Sequence, residues 1–176
     1  MKKLFLLLSL MATISISAQT NKHSFGILIG SYNGLSYKTL VSENFAIQAD
    51  LGVGFLSAPG SYFIGPGFIQ ASEDSWNFYA NPNFSYQKTI YTADWGNMNA
   101  FIGGGVSLGI HQSLKGSGFA GKTGANVLMG VEFASNSVPL DFGLDFRPGY
   151  GMTFFYDIII GHFFDWALAA SIRYRF

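Results

Sequence analysis

The chain of 176 residues contains no cysteine, which excludes disulfides, thiolate metal sites and a thiol-linked lipid anchor. Charge is scarce as well. Lys, Arg, Asp and Glu make up 11% of the residues, against about 25% in a typical soluble domain, so the surface cannot be conventionally hydrated. No apolar run beyond the first residues approaches the roughly 18 uninterrupted residues of a spanning helix. Neither sign of charge prevails, with ten basic and ten acidic residues, and this argues against a nucleic-acid partner, which calls for a basic surface. What is abundant is aromatic (17%) and glycine (22 residues). An apolar chain without a spanning helix can sit in a membrane only by closing its strands into a barrel, so that no backbone group faces lipid unpaired.

The first 18 residues have a three-part layout. Met1-Lys2-Lys3 is a basic head, Leu4 to Leu10 an apolar core, and Ser15-Ile16-Ser17-Ala18 a small-residue end. This predicts a secretory signal peptide over 1–18, cleaved after Ala18. The competing reading, a membrane anchor, needs about 20 apolar residues, more than this core offers. Residues 19–176 are then one domain.

The last twelve residues alternate strictly. Trp166, Leu168, Ala170, Ile172, Tyr174 and Phe176 are apolar, whereas Asp165, Ala167, Ala169, Ser171, Arg173 and Arg175 are small or charged. Period two is a strand signal, because successive side chains point to opposite faces. A terminal aromatic in phase with the apolar face resembles the last strand of bacterial outer-membrane β-barrels. The resemblance implies that Tyr174 and Phe176 belong to the signal read by the barrel-assembly machinery. It also implies an outer-membrane location with membrane lipids as neighbours.

Seven further segments alternate in the same way: about 22–30, 35–41, 45–55, 76–87, 99–110, 125–133 and 139–148. Each is close to the 9–11 residues of a spanning strand. The expected fold is all-β: an eight-stranded antiparallel up-and-down transmembrane barrel, resembling small outer-membrane barrels over the whole of residues 19–176. Asn33-Gly34 reads as a tight hairpin turn, Ser57 to Ser75 as a long loop, and Lys88 to Asn97 as a turn. His111 to Gly124 and Gly149 to Phe163 read as further loops. Pro82, on an outward position, calls for a bulge or an end to pairing. Short connections are periplasmic in such barrels, which places both termini there.

The inward phase collects Lys38, Asp50, Glu132, Asp141, Asp145, Arg147, Asp165, Arg173 and Arg175. Unpaired charges in a narrow barrel would each cost several kcal/mol, so a salt-bridge plug is one reading and a gated ion path the other. A hairpin symmetric about residue 156 would set Arg147 opposite Asp165. Asp141 and Glu132 form an acidic pair for Arg173 or Arg175 to neutralise. His111 and Ser113 have the spacing of the motif in lipid A deacylases, which are small barrels of similar size. Leu114 departs from that motif, and no acidic partner for the histidine is assignable, so an enzyme is not expected. No metal-ligand spacing joins the histidines, and no cofactor is implied. Phe154, Phe155, Ile158, Ile159 and Ile160 are too apolar for a solvated loop. They belong either to strands that project past the membrane or to a surface for a partner, lipid or ligand. A monomer is expected, with any surface partner left open.

Overall fold

The structure is a computed structural model. It describes the backbone of residues 22–56, 60–64, 67–71, 75–113, 119–155 and 158–176, and the side chains of 22–54, 78–110, 120–154, 162–164 and 166–176. Among the described residues every regular element is a strand: β1 His23–Gly30, β2 Asn33–Leu40, β3 Phe45–Leu56, β4 Gly60–Ile64, β5 Gly67–Ala71, β6 Ser75–Ala93, β7 Gly96–Ser113, β8 Phe119–Ser135, β9 Leu140–Phe155 and β10 Ile158–Arg175. Eight of these pair antiparallel in the order β1-β2-β3-β6-β7-β8-β9-β10, and β1 pairs with β10. The sheet therefore closes on itself and leaves no edge along the seam. Phe176 completes the seam, its N–H donating to the His23 carbonyl at 2.9 Å.

The register fixes the barrel's size. From Asp165 the pairing runs through Gly149, Asn126, Gly105, Asn83, Gln48, Lys38 and Ser24, and returns to β10 at Arg175, ten residues further on. A ten-residue stagger over eight strands about 4.8 Å apart tilts the strands by about 40°. A barrel of this width has room inside for side chains and little else.

Several connections are shorter than their composition suggests. Asn33 and Gly34 open β2, and the connection is Ser31-Tyr32. The Asn33 side chain bonds back to Gly30, whose φ of 149° suits a residue without Cβ. The turn expected over Lys88 to Asn97 shrinks to Asp94-Trp95, and β7 and β8 run to Ser113 and from Phe119. The expected loop Gly149 to Phe163 is strand on both sides of residues 156–157. Within the expected loop Ser57 to Ser75 a hairpin forms, β4–β5. Its β4 pairs with β10 at His162, Phe163 and Phe164, beyond the reach of β1.

Pro82 causes no bulge. Residues 81–82 lose their pairing to β7, but the register resumes unchanged at Asn83↔Gly105, and Pro82 stays in register with Ala49 on β3. Pro148 leaves a like gap between β8 and β9. A missing N–H deletes ladder bonds without shifting the strands. The β9–β10 hairpin does carry a bulge, between Ile159 and Gly161. Phe155 pairs with Ile158, which moves the register one position from a hairpin symmetric about residue 156, and the bulge moves it one more, so that Arg147 lies opposite Ala167 and Asp165 opposite Gly149, which corrects the expected Arg147–Asp165 pairing.

Candidate functional site: a charged lumen inside an apolar wall

On β10 the side chains of Trp166, Leu168, Ile172 and Tyr174 are exposed, while Ala167, Ala169, Ser171 and Arg173 are buried. The same division holds on β3, where Ile47 and Leu51 face out and Gln48 and Asp50 face in. Aromatics collect at two levels of the outer face. Tyr37, Phe45, Tyr86, Phe142 and Tyr174 ring the end that carries the termini, and Phe78, Tyr150 and Trp166 mark the far end. Trp166 and Tyr174 are about 20 Å apart along the axis at ~3.3 Å per residue and this tilt. That approaches the ~25 Å apolar band of outer-membrane barrels, which aromatic girdles flank.

Inside, the polar residues form stacked layers. Nearest the termini, Arg175 Nε lies 2.9 Å from Asp141 Oδ1, an ion pair whose angle falls outside hydrogen-bond geometry, since neither atom has a hydrogen-bond partner. An Arg175 Nη2 hydrogen bonds to the Ser135 and Val138 carbonyls tie that strand end to the β8–β9 turn. A polar vestibule of about 210 Å³ opens here, lined among others by His23, Gln87, Asn99 and Asp141.

The next layer is built on one carboxylate. Glu132 Oε1 accepts from Lys38 Nζ at 2.7 Å and Oε2 from Arg173 Nη1 at 2.7 Å. Arg173 Nε donates to Ser36 Oγ at 2.9 Å, and the Lys38 ammonium sits 5.4 Å from the centroid of the buried Phe101 ring. The central layer has the opposite plan, one cation between two carboxylates. Arg147 grips Asp145 with Nε and Nη2 at 2.7 and 3.0 Å, and reaches Asp50 Oδ2 through Nη1 at 2.6 Å. Gln48 Nε2 donates to Asp50 at 3.0 Å. All three charged groups are at most 2% exposed. Beside them Asn126 Nδ2 donates to Asn83 Oδ1 at 2.6 Å, and Ser107 Oγ to Asn126 Oδ1 at 3.3 Å. Towards the far end the lumen turns aromatic: Tyr32 packs on Tyr79 at 4.5 Å between centroids, and Lys122 lies 3.8 Å over the buried Phe163 ring.

Eight of the nine inward charges named from the sequence thus line the lumen and pair with one another; the Asp165 side chain lies outside the described residues. The structure adds Ser36, Gln48, Asn83, Asn126 and Phe101, whose polar or aromatic inward phase was visible but whose partners sit on distant strands. Leu28 and Leu128 are buried too. Tyr174 faces out, opposite Phe25, and Phe176 stacks on His23 with 5.9 Å between centroids. Phe154 faces out, while Phe155, Ile158, Ile159 and Ile160 lie in strand with side chains outside the described residues, as do the side chains of His111 and Ser113 in β7. Among the described residues no three His, Asp or Glu groups are arranged to hold a metal ion.

A closed barrel that is apolar outside and charged inside is a membrane-spanning β-barrel of the outer-membrane type. No family model and no curated protein matches the chain. Among solved structures it is similar to Ail, the attachment invasion locus protein of Yersinia pestis: 16% identity, TM-score 0.37, covering 87% of this chain and 97% of that one. Ail in complex with the heparin analogue sucrose octasulfate matches with 14% identity, TM-score 0.38 and the same coverage. Its backbone structure in a phospholipid bilayer nanodisc matches with 17% identity and TM-score 0.35, covering 88% and 99%. Likeness at this level carries nothing about role, and the architecture stands on the strand pairing itself.

Proposed function

We propose that the protein is a non-catalytic integral barrel of the outer membrane whose lumen is sealed by its own ion pairs, and that it acts through its outer and external surfaces. On this reading residues 1–18 direct export and are removed, residues 19–176 form the barrel, and the termini face the periplasm. Membrane lipids are the standing partners, with the barrel-assembly machinery engaged during insertion through Tyr174 and Phe176. One observation carries the reading: every described lumenal charge from the Glu132 layer to the Arg147 layer is buried and paired. A conducting path would need those groups hydrated, since water-filled pores belong to much wider barrels. Planar-bilayer recording tests this, with no ion-selective conductance expected from the purified, folded chain. Reproducible unitary currents would replace the sealed barrel by a channel.

The enzyme reading has one handle, His111 and Ser113. No acidic side chain is assignable to orient the histidine, a requirement for activating serine. Unchanged lipid A acylation in cells expressing the protein is the expected outcome, and loss of an acyl chain would reverse it.

A further inference from the structure

The strand that closes the barrel has little of its own to hold it. β1 is 8 residues long, where β6 to β10 run to 16–19, and its lumenal residues Ser24, Gly26, Leu28 and Gly30 carry no charge. A short ladder at the point of closure is where local opening would begin. Side chains of both neighbours fasten it instead. On the lumenal face Gly26 is in register with Arg173 of β10 and with Ser36 of β2. Arg173 Nε donates to Ser36 Oγ at 2.9 Å, so the arginine crosses β1 at the position that has no side chain in its way. On the outer face, at the terminal end, His23 stands between Tyr37 of β2 and Phe176 just past β10. Its ring stacks on both, with 6.2 and 5.9 Å between centroids, and Nδ1 shares a hydrogen bond with the Tyr37 hydroxyl at 2.9 Å. At the far end Ser31, just past β1, donates its N–H to the Leu168 carbonyl at 2.9 Å and accepts the Leu168 N–H on Oγ at 3.2 Å.

We propose that the Arg173–Ser36 bond and the His23 stack form a two-sided clasp that locks β1 in the wall and keeps the seam from opening in the folded barrel. Parting β1 from β10 moves β10 away from β2 as well, so it breaks the bond that Arg173 makes across β1. Arg173 is itself held by Glu132 through Nη1 at 2.7 Å, so its guanidinium cannot follow Ser36 without giving up that ion pair. On the other face the same motion pulls the Phe176 ring off His23. An opened seam would present two unpaired strand edges, which invite pairing with another chain, and the clasp guards against this where the ladder is shortest. It depends on barrel closure alone and not on a sealed lumen or a surrounding membrane.

The test is amide hydrogen exchange of the full folded chain in detergent micelles, followed by mass spectrometry of peptides from β1 and the end of β10, with peptides from β7 and β8 as reference. In the wild type the seam should exchange as slowly as the reference. Ser36→Ala removes the hydroxyl and leaves the Glu132 pairs in place; it should speed exchange at the seam roughly tenfold, the usual weight of a hydrogen bond to a charged group. His23→Ala should act similarly, and His23→Phe, which keeps a ring in the stack, should do so less. Because the two contacts lie on opposite faces of β1, the double variant Ser36→Ala, His23→Ala should approach the product, about a hundredfold. Exchange in β7 and β8 should stay at its wild-type rate throughout. If Ser36→Ala fails to fold, as judged by heat-modifiable migration, the two His23 variants on the outer face carry the same test. Wild-type seam amides that exchange faster than the reference would overturn the clasp, as would a seam unmoved by the folded variants. An equal rise in β7 and β8 would overturn it too, since the groups would then support the whole barrel and not the seam.

Discussion

The two charged layers of the lumen are mirror images. Glu132 is one carboxylate held by two cations, Lys38 and Arg173, whereas Arg147 is one cation held between two carboxylates, Asp50 and Asp145. Neither layer is neutral. The first carries one positive charge in excess and the second one negative, so balance is reached between layers of the stack and not within each. The layers also differ in what supports them. The Arg147 layer has a bidentate fork and a Gln48 donor, with all its charges nearly inaccessible. The Glu132 layer stands next to the vestibule and leaves Arg173 Nη2 without a hydrogen-bond partner. A buried ion is tolerated in proportion to how completely its partners replace water, so the central layer should be the more sensitive of the two.

Breaking the comparison at its centre should have the largest effect. Arg147→Ala strands two carboxylates side by side in a dry lumen, and about 3–5 kcal/mol of stability should be lost, read from reversible denaturant unfolding in vesicles. Leaving the lumen alone and charging the wall comes next: Leu168→Arg on the lipid face should cost about 2–4 kcal/mol near the midplane. The same assay on Ala167→Ser, one position away and inward, should show far less. The smallest effect belongs to the mouth. Arg175 is partly exposed (18%) and beside the vestibule, so solvent screening should hold Arg175→Ala to about 0–1 kcal/mol for the Asp141 pair.

How much of this was readable in the sequence depended on what constrained each residue. Where lipid lies on one side and the lumen on the other, the membrane enforces period two, and the facing of Phe25 to Ile29, Ile47 to Leu51 and Trp166 to Tyr174 follows directly. Beyond that span the rule relaxes. Gly124 and Gly151 read as loop residues, yet both lie in strand, and a Cβ on either would press on Phe163 (3.1 and 2.6 Å). Backbone of the facing strand and the Phe163 ring together leave no room for a side chain at either position. The charge pairs escaped for a different reason. Arg147 meets Asp50 across 97 positions of sequence and Lys38 meets Glu132 across 94. Such partners follow from barrel closure and stagger, which no local pattern encodes. The Arg147–Asp165 expectation failed by two positions: Phe155 pairs with Ile158, one position off a hairpin symmetric about residue 156, and the bulge before Gly161 shifts every pairing below it by one more.

The central claim, that buried lumenal charges hold one another in place of water, is tested most directly by removing a whole layer. Arg147→Met should destabilise the folded barrel severely, and the triple variant Arg147→Met, Asp50→Asn, Asp145→Asn should recover most of that loss, because no orphan carboxylate remains. Unfolding free energies of the two variants and the wild type, measured in the same vesicles, supply the comparison. A triple variant no more stable than Arg147→Met, with each substitution simply adding its own cost, would contradict the claim and mean that these groups are individually hydrated.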